Sequence, residues 1–235
     1  MAEFSCRICQ TPFIDSYPLD EHDLCTVCRE SKAGFDASYS YGSYEETLRE
    51  LIRLFKYSRI ETLAKPLGAL LLRAIPHSER YDLVMPMPMH WLRRWERGFN
   101  QAELLAAPVA RRYGLKSSKL LKRVRRTRAQ AGLRAAERRD NLKNAFRVSH
   151  PEKIAGKRIL LVDDVLTTGS TLRAAAAALK AAGAVHVAAL TVARVERRIS
   201  VESGHPLKKR AAASGFSLSD QQFRGGCYGQ TGSRS

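Results

Sequence analysis

Two acids and a run of hydroxyls stand together in Ile159-Leu160-Leu161-Val162-Asp163-Asp164-Val165-Leu166-Thr167-Thr168-Gly169-Ser170-Thr171. A short apolar strand delivers Asp163 and Asp164 at its carboxyl end. The Thr/Gly/Ser turn then leads into the helical pattern Leu172, Ala175, Ala176, Leu179, closed by Gly183. In open parallel sheets, ligands bind at that edge. The turn suits a phosphate monoester: helix N-terminal N–H groups and the hydroxyls of Thr167, Thr168, Ser170 and Thr171 all present donors, and Gly169 lets the backbone approach closely. Asp163 and Asp164 would repel a phosphate they faced. They belong a few ångströms away, accepting hydrogen bonds from sugar hydroxyls or holding Mg²⁺ directly or through its waters. A plainer reading, a helix capped by Thr168 behind a buried strand, leaves the paired acids and the surplus of hydroxyls without a use. A Walker A loop is excluded, because no Gly-Lys-Ser/Thr follows a glycine at the required distance.

Cys6-x2-Cys9 and Cys25-x2-Cys28, separated by fifteen residues, have the spacing of a tetrahedral zinc site in which each turn offers two thiolates. A pair of redox dithiols is the weaker alternative, since neither pair opens a helix within a βαβ pattern. His22 reads as a solvent-facing loop residue rather than a ligand, and Cys227, alone near the far end, as a bystander. Four protein ligands leave no open position for substrate, so this centre is structural or recognitional.

The elements that must position these groups follow from the 235 residues, 44% of them hydrophobic, enough for one α/β domain and a small appendage. Residues 1–34 bury little and read as a zinc-ribbon-like module that needs its metal staple. Residues 35–194 alternate helix-like and strand-like patterns. Ile159–Val162, the alanine-rich helix and Val185–Val192 form a βαβ unit whose strands should be parallel. Tyr44, Leu48, Leu51, Ile52 and Phe55 keep the helical period, as do Phe99, Leu104, Leu105 and Val109 more loosely. Asp82–Met85 reads as a short strand stopped by Pro86 and Pro88. Residues 195–235 are glycine-rich and basic, and read as a mostly disordered tail. No apolar run approaches the ~18 residues of a membrane span, and the first residues lack signal-peptide features, so a cytoplasmic location is expected.

The formal charge is +17, and residues 91–147 hold seventeen Lys+Arg against four Asp+Glu. That concentration calls for an anion: a phosphate-rich ligand or a nucleic-acid backbone. A solvated basic face is the plain alternative for any single arginine. Trp91 and Trp95, four apart, read as core rather than as base-stacking residues, although both uses fit the spacing.

Val162–Thr171 resembles the phosphoribosyl pyrophosphate (PRPP) signature of type I phosphoribosyltransferases. With the four-cysteine module and the stretches Arg97-Gly98-Phe99-Asn100-Gln101-Ala102 and Arg126-Thr127-Arg128-Ala129-Gln130-Ala131-Gly132-Leu133, the order over roughly residues 4–194 resembles the ComF family, phosphoribosyltransferase-like proteins linked to competence for DNA uptake. The resemblance implies a parallel sheet flanked by helices. It implies PRPP bound with Mg²⁺ by Asp163, Asp164, Val165, Leu166, Thr167, Thr168, Gly169, Ser170 and Thr171, the acids on the ribose hydroxyls and the Thr-rich loop on the 5′-phosphate, with Asp163 and Asp164 also catalytic. The turn at Met85-Pro86-Met87-Pro88 lies where such enzymes hold pyrophosphate, so Met87, Arg93, Arg94 and Arg97 are candidates for that group. Arg125, Arg126 and Arg128 are candidates for a lid or for single-stranded DNA. The reaction implied is displacement of pyrophosphate by an unidentified acceptor. The alternatives are a non-catalytic factor that binds single-stranded DNA and DNA-uptake proteins, or a PRPP-responsive regulator.

Overall fold

Strands buried on both faces read as unbroken apolar runs, and the two longest strands obey this rule. Arg158–Leu166 and His186–Arg194 are buried along almost their whole length. The structure, a computed structural model, describes residues 4–13, 16, 19–30, 34–58, 60–90, 92, 94, 95, 98–124 and 144–195. In chain order the elements are β1 (Phe4–Ser5), β2 (Pro12–Phe13), α1 (Thr26–Glu30), β3 (Ala37–Ser43), α2 (Glu46–Tyr57), α3 (Ala64–Ala74), β4 (Leu83–Pro86), α4 (Gln101–Arg112), β5 (Leu121–Arg123), β6 (Phe146–Val148), β7 (Arg158–Leu166), α5 (Ser170–Ala181) and β8 (His186–Arg194).

The main sheet is parallel throughout, in the order β3-β8-β7-β4. Its side chains alternate between two apolar layers. Val84, Leu160, Val162, Leu190 and Val192 face one core with Ile52 and Phe55 of α2, Leu67 and Leu71 of α3, and Leu105 and Val109 of α4. Met85, Ile159, Leu161, Val187 and Ala189 face the other, with Leu172, Ala175, Ala176 and Leu179 of α5. Three helices thus cover one face, whereas the opposite face has α5 and, beside it, the four cysteines and Phe35 in the same apolar cluster. The cysteine module takes the place of a further helix. Its seams are polar and specific: the Ser38 N–H donates to the Ile8 carbonyl at 2.9 Å, the Ser38 hydroxyl to the Cys9 carbonyl at 3.2 Å, and Arg194 to the Thr11 hydroxyl at 2.6 Å.

The parallel βαβ unit, the helices at 46–57 and 101–112, and the turn at Gly183 (φ 92°) agree with the sequence reading. Three details differ. Pro86 is the last residue of β4 rather than the first beyond it, which an edge strand tolerates because little is asked of its N–H groups. The acids lie within a strand that runs on to Leu166, and the helix N-cap is Gly169 in the left-handed region (φ 74°), not Thr168. Trp95 is not core but 82% exposed. Strand β3, helix α3 and the antiparallel ribbon β5–β6 are additions that periodicity did not reveal. Trp91, Cys227 and the residues after 195 lie outside the described residues.

Candidate functional site

Strand β4 pairs with β7 only as far as Val162, and the Met87 N–H closes that ladder on the Val162 carbonyl at 2.8 Å. Asp163 and Asp164 follow at once, where the neighbouring strand has ended. The helix after β4 packs on one face of the sheet and the helix after β7 on the other. Adjacent strands that send their helices to opposite faces leave a crevice between their carboxyl ends, the place where α/β sheets bind ligands.

A cleft of about 190 Å³ fills that crevice, lined by Asp163 to Thr167, Gly169, Thr171 and Leu172 from β7 and the turn, by Met87 to Met89 after β4, and by Asn100 to Ala102 at the start of α4. Asn100 ties two of these walls together: its Oδ1 accepts from the Ala102 N–H at 3.1 Å as a helix N-cap, and its Nδ2 donates to the Met87 carbonyl at 3.1 Å. Two cations complete the lining, Lys56 from the last turn of α2 and Arg123 from β5.

Lys56 is the cleft-lining side chain that sequence reasoning missed. Its Nζ lies 2.9 Å from Asp164 Oδ1 in a largely buried pair. Burial alone would lower the lysine pKa, but the Asp164 carboxylate, with Asp163 behind it, raises it above the ordinary value. The available signal was position: four residues after Ile52 and beside Phe55, Lys56 sits on the buried stripe of α2, where a charge needs a partner. Asp163 is different. Burial, reinforced by the charge of Asp164, pushes its carboxyl up to about 7, so near neutrality it exchanges readily between acid and carboxylate. Its Oδ1 accepts the Asp164 N–H at 2.9 Å.

The turn supplies donors at the other end of the cleft. Gly169 adopts φ 74°, a conformation that favours glycine, and α5 begins immediately after it. Thr167 and Thr171 line the cleft, whereas the Thr168 and Ser170 hydroxyls bond each other at 2.8 Å. Arg94, a candidate for pyrophosphate, bonds Glu103 at 2.9 Å, and Lys119 holds the second oxygen of that carboxylate at 2.7 Å. Arg93, Arg97, Arg125, Arg126 and Arg128 lie outside the described residues. The cleft thus sets hydroxyl and N–H donors at the turn opposite two carboxylates, with two cations on its rim.

The four cysteines form a separate centre. All four Sγ atoms are buried and lie within 4.8 Å of one another, with Cys9 and Cys25 3.7 Å apart. Tetrahedral Zn–S bonds of ~2.3 Å place sulfurs about 3.8 Å apart, so the set fits such an ion. Hydrogen bonds within the cluster split the four thiols: those from Cys25 and Cys28 lower Cys6 and Cys9, while Cys25 and Cys28 themselves are raised by their bonds to Cys6 and Cys9 and by burial. Four sulfurs packed this closely need shared protons or a dication to offset their mutual repulsion. These cysteines can hold a metal such as zinc. His22, exposed and beside Glu21, is not among the clustered ligands.

The phosphoribosyl transferase domain model matches residues 100–218. The chain is 34% identical over 178 residues to "Competence protein F" of Haemophilus influenzae, covering 72% of this chain and 78% of that protein. It is 35% identical over 173 residues to "DNA utilization protein YhgH" of Escherichia coli K12, covering 71% of this chain and 75% of that protein. Among solved structures, the allosteric regulatory enzyme of purine biosynthesis matches at 21% identity and a TM-score of 0.39, over 56% of this chain and 25% of that enzyme. Among the described residues, no helix is long and apolar enough to cross a membrane.

Proposed function

We propose, from the premise that this chain belongs to the ComF family and carries a type I phosphoribosyltransferase-like domain, that its cleft binds PRPP with Mg²⁺ and serves the handling of incoming DNA. The observation that carries the reading is the convergence in one cleft of an acidic pair, a hydroxyl-rich helix-initiating turn and two cations. The turn at Thr167–Thr171 takes the 5′-phosphate on N–H and hydroxyl donors. Asp163 and Asp164 accept the ribose 2′- and 3′-hydroxyls. Lys56 already neutralises Asp164, so Asp163 is the carboxylate left to gain a cation or a hydroxyl donor. Mg²⁺ would be held by Asp163 and Asp164 and by the ligand, and would supply neutralising charge to the pyrophosphate.

In that arrangement the chain's own groups favour departure of pyrophosphate from the anomeric carbon. Ionised Asp163 stabilises positive charge developing on the sugar ring, and Arg123 with the Met87–Met89 turn receives the leaving group. Calorimetric titration with PRPP and Mg²⁺ tests the reading. Saturable, Mg²⁺-dependent binding is expected, and it is lost in the Asp163→Asn/Asp164→Asn double variant while the circular dichroism spectrum is kept. Equal affinity in both proteins overturns the assignment. Pyrophosphate release assayed across nucleobases, amines and water identifies the acceptor.

A second role, binding of single-stranded DNA, is favoured by Trp95, 82% exposed beside Arg94 within the most basic stretch of the chain. An exposed indole next to cations is a stacking platform for unpaired bases. The names of the two relatives, one tied to competence and one to DNA utilization, point the same way.

A further inference from the structure

Between the phosphate turn and the cysteine centre stands one side chain, Arg173, in the first turns of α5. Its Nη1 donates to the Thr168 carbonyl at 3.0 Å, and its Nη2 donates to Cys28 Sγ at 3.4 Å. The guanidinium lies over the Phe35 ring, 5.1 Å from the centroid, and its stem packs against Gly34, where a Cβ would come within 3.5 Å of Cγ. A Cβ on Gly169 would collide with the guanidinium. The planar fork is therefore held by an aromatic face, a loop carbonyl and a sulfur at once. An ammonium, a single point on a flexible stem, does not reproduce such a bridge.

The Thr168 carbonyl and the Gly169 N–H belong to one trans peptide plane and point in opposite directions. Fixing the carbonyl towards Arg173 therefore fixes the Gly169 N–H away from it, and Gly169 lines the cleft. We propose that Arg173 is a positioning residue through which metal occupancy of the four-cysteine centre sets the donor geometry of the turn that takes the 5′-phosphate. The inference rests on the reading of the cleft as a PRPP site. With a metal bound, the sulfur cluster carries net negative charge, and the charge-assisted bond to Cys28 holds the fork in place. Without the metal that anchor weakens, and the 168–169 peptide is held less firmly in this orientation. Because linkage is reciprocal, a phosphate monoester on the turn strengthens metal retention by the factor through which the metal strengthens phosphate binding.

Cobalt substitution gives a reading independent of turnover. Zn²⁺ is exchanged for Co²⁺ in the full-length protein, and the visible absorption of the cobalt–thiolate centre is followed while ribose 5-phosphate, and separately PRPP with Mg²⁺, are added. Binding is measured in parallel by calorimetry. In the wild-type protein the cobalt bands shift with the same saturation as the heat signal. In Arg173→Gln the bands stay fixed, and PRPP binds about tenfold more weakly, within the usual range of coupling between sites. Arg173→Lys, which keeps the charge but not the two-armed bridge, behaves like Arg173→Gln and serves if the glutamine variant fails to fold. Bands that stay fixed in the wild type while calorimetry registers PRPP overturn the coupling and leave the PRPP reading intact. Bands that shift equally in wild type and variants overturn the role of Arg173. No heat of PRPP binding to the wild type overturns the PRPP reading and the coupling with it.

Discussion

Replacing Asp163 by Asn is expected to make the protein more stable above neutral pH while ending its ability to bind PRPP. In the folded chain the Asp163 carboxyl is pushed from 3.8 up to about 7, by burial and by the neighbouring charge of Asp164. Below the unfolded value both states carry the proton, and the group is neutral in its effect. Between about 4 and 7 the unfolded chain ionises while the folded chain resists, so stability falls as pH rises, and above about 7 the loss is constant. At about 1.4 kcal/mol per unit, the shift sets a ceiling near 4 kcal/mol. The cleft admits water, and an amide must find partners of its own, so about half of that ceiling is expected as net gain. Asparagine keeps an Oδ1 that can accept the Asp164 N–H. A gain of ~2 kcal/mol corresponds to a Tm rise of roughly 4–8 °C in a chain of this length. Thermal melts of wild type and Asp163→Asn from pH 4 to pH 8 measure it: the curves should coincide near pH 4 and separate towards pH 8. A difference independent of pH, or a variant less stable than wild type at pH 8, refutes the reasoning.

Elemental analysis is expected to find one zinc per chain, held by Cys6, Cys9, Cys25 and Cys28. Chelation should lower the melting temperature of the whole domain in one transition, because those cysteines share an apolar cluster with Phe35 and Ala189; protein without stoichiometric zinc, or with a separate low-temperature transition, contradicts this. Affinity for single-stranded DNA should fall with a slope of log K against log salt of about −0.7 per phosphate neutralised, and changing Arg125, Arg126 and Arg128 together to Ala should flatten it. An unchanged slope with weakened PRPP binding would instead assign those arginines to the nucleotide cleft.

The best-read parts of the chain are those in which local pattern and tertiary role coincide. Strand β7 is an apolar run because both its faces are covered, and the acids and hydroxyls that follow it stand out against that run. Strand β3 escaped notice because Ala-Ser-Tyr-Ser-Tyr-Gly-Ser carries its burial on Ser38 and Tyr39 rather than on aliphatic residues. The β5–β6 ribbon is three residues a side and rich in charge, below what alternation reveals. Lys56 was only half legible: its place on the buried stripe of α2 asks for a partner, but which partner depends on Asp164, more than a hundred residues later. Asn100 was noticed as part of a motif, but its second bond, to Met87, depends on where β4 ends.

The order in which the main sheet is assembled bears on how the chain emerges during synthesis. Among the described strands β3 pairs only with β8, so one of the first strands made waits for one made more than 140 residues later. The hydroxyls of Ser40 and Thr191 that meet across this pair are 151 residues apart. Until β8 has left the ribosome, β3 has no strand neighbour in the main sheet, and the cysteine module has its Ser38 bonds but lacks the one from Arg194 to Thr11. Contacts of such sequence separation close slowly. A nascent chain at residue 185 therefore presents an unpaired strand edge and an incompletely secured cysteine module to whatever surrounds it, and release of the next nine residues closes both at once.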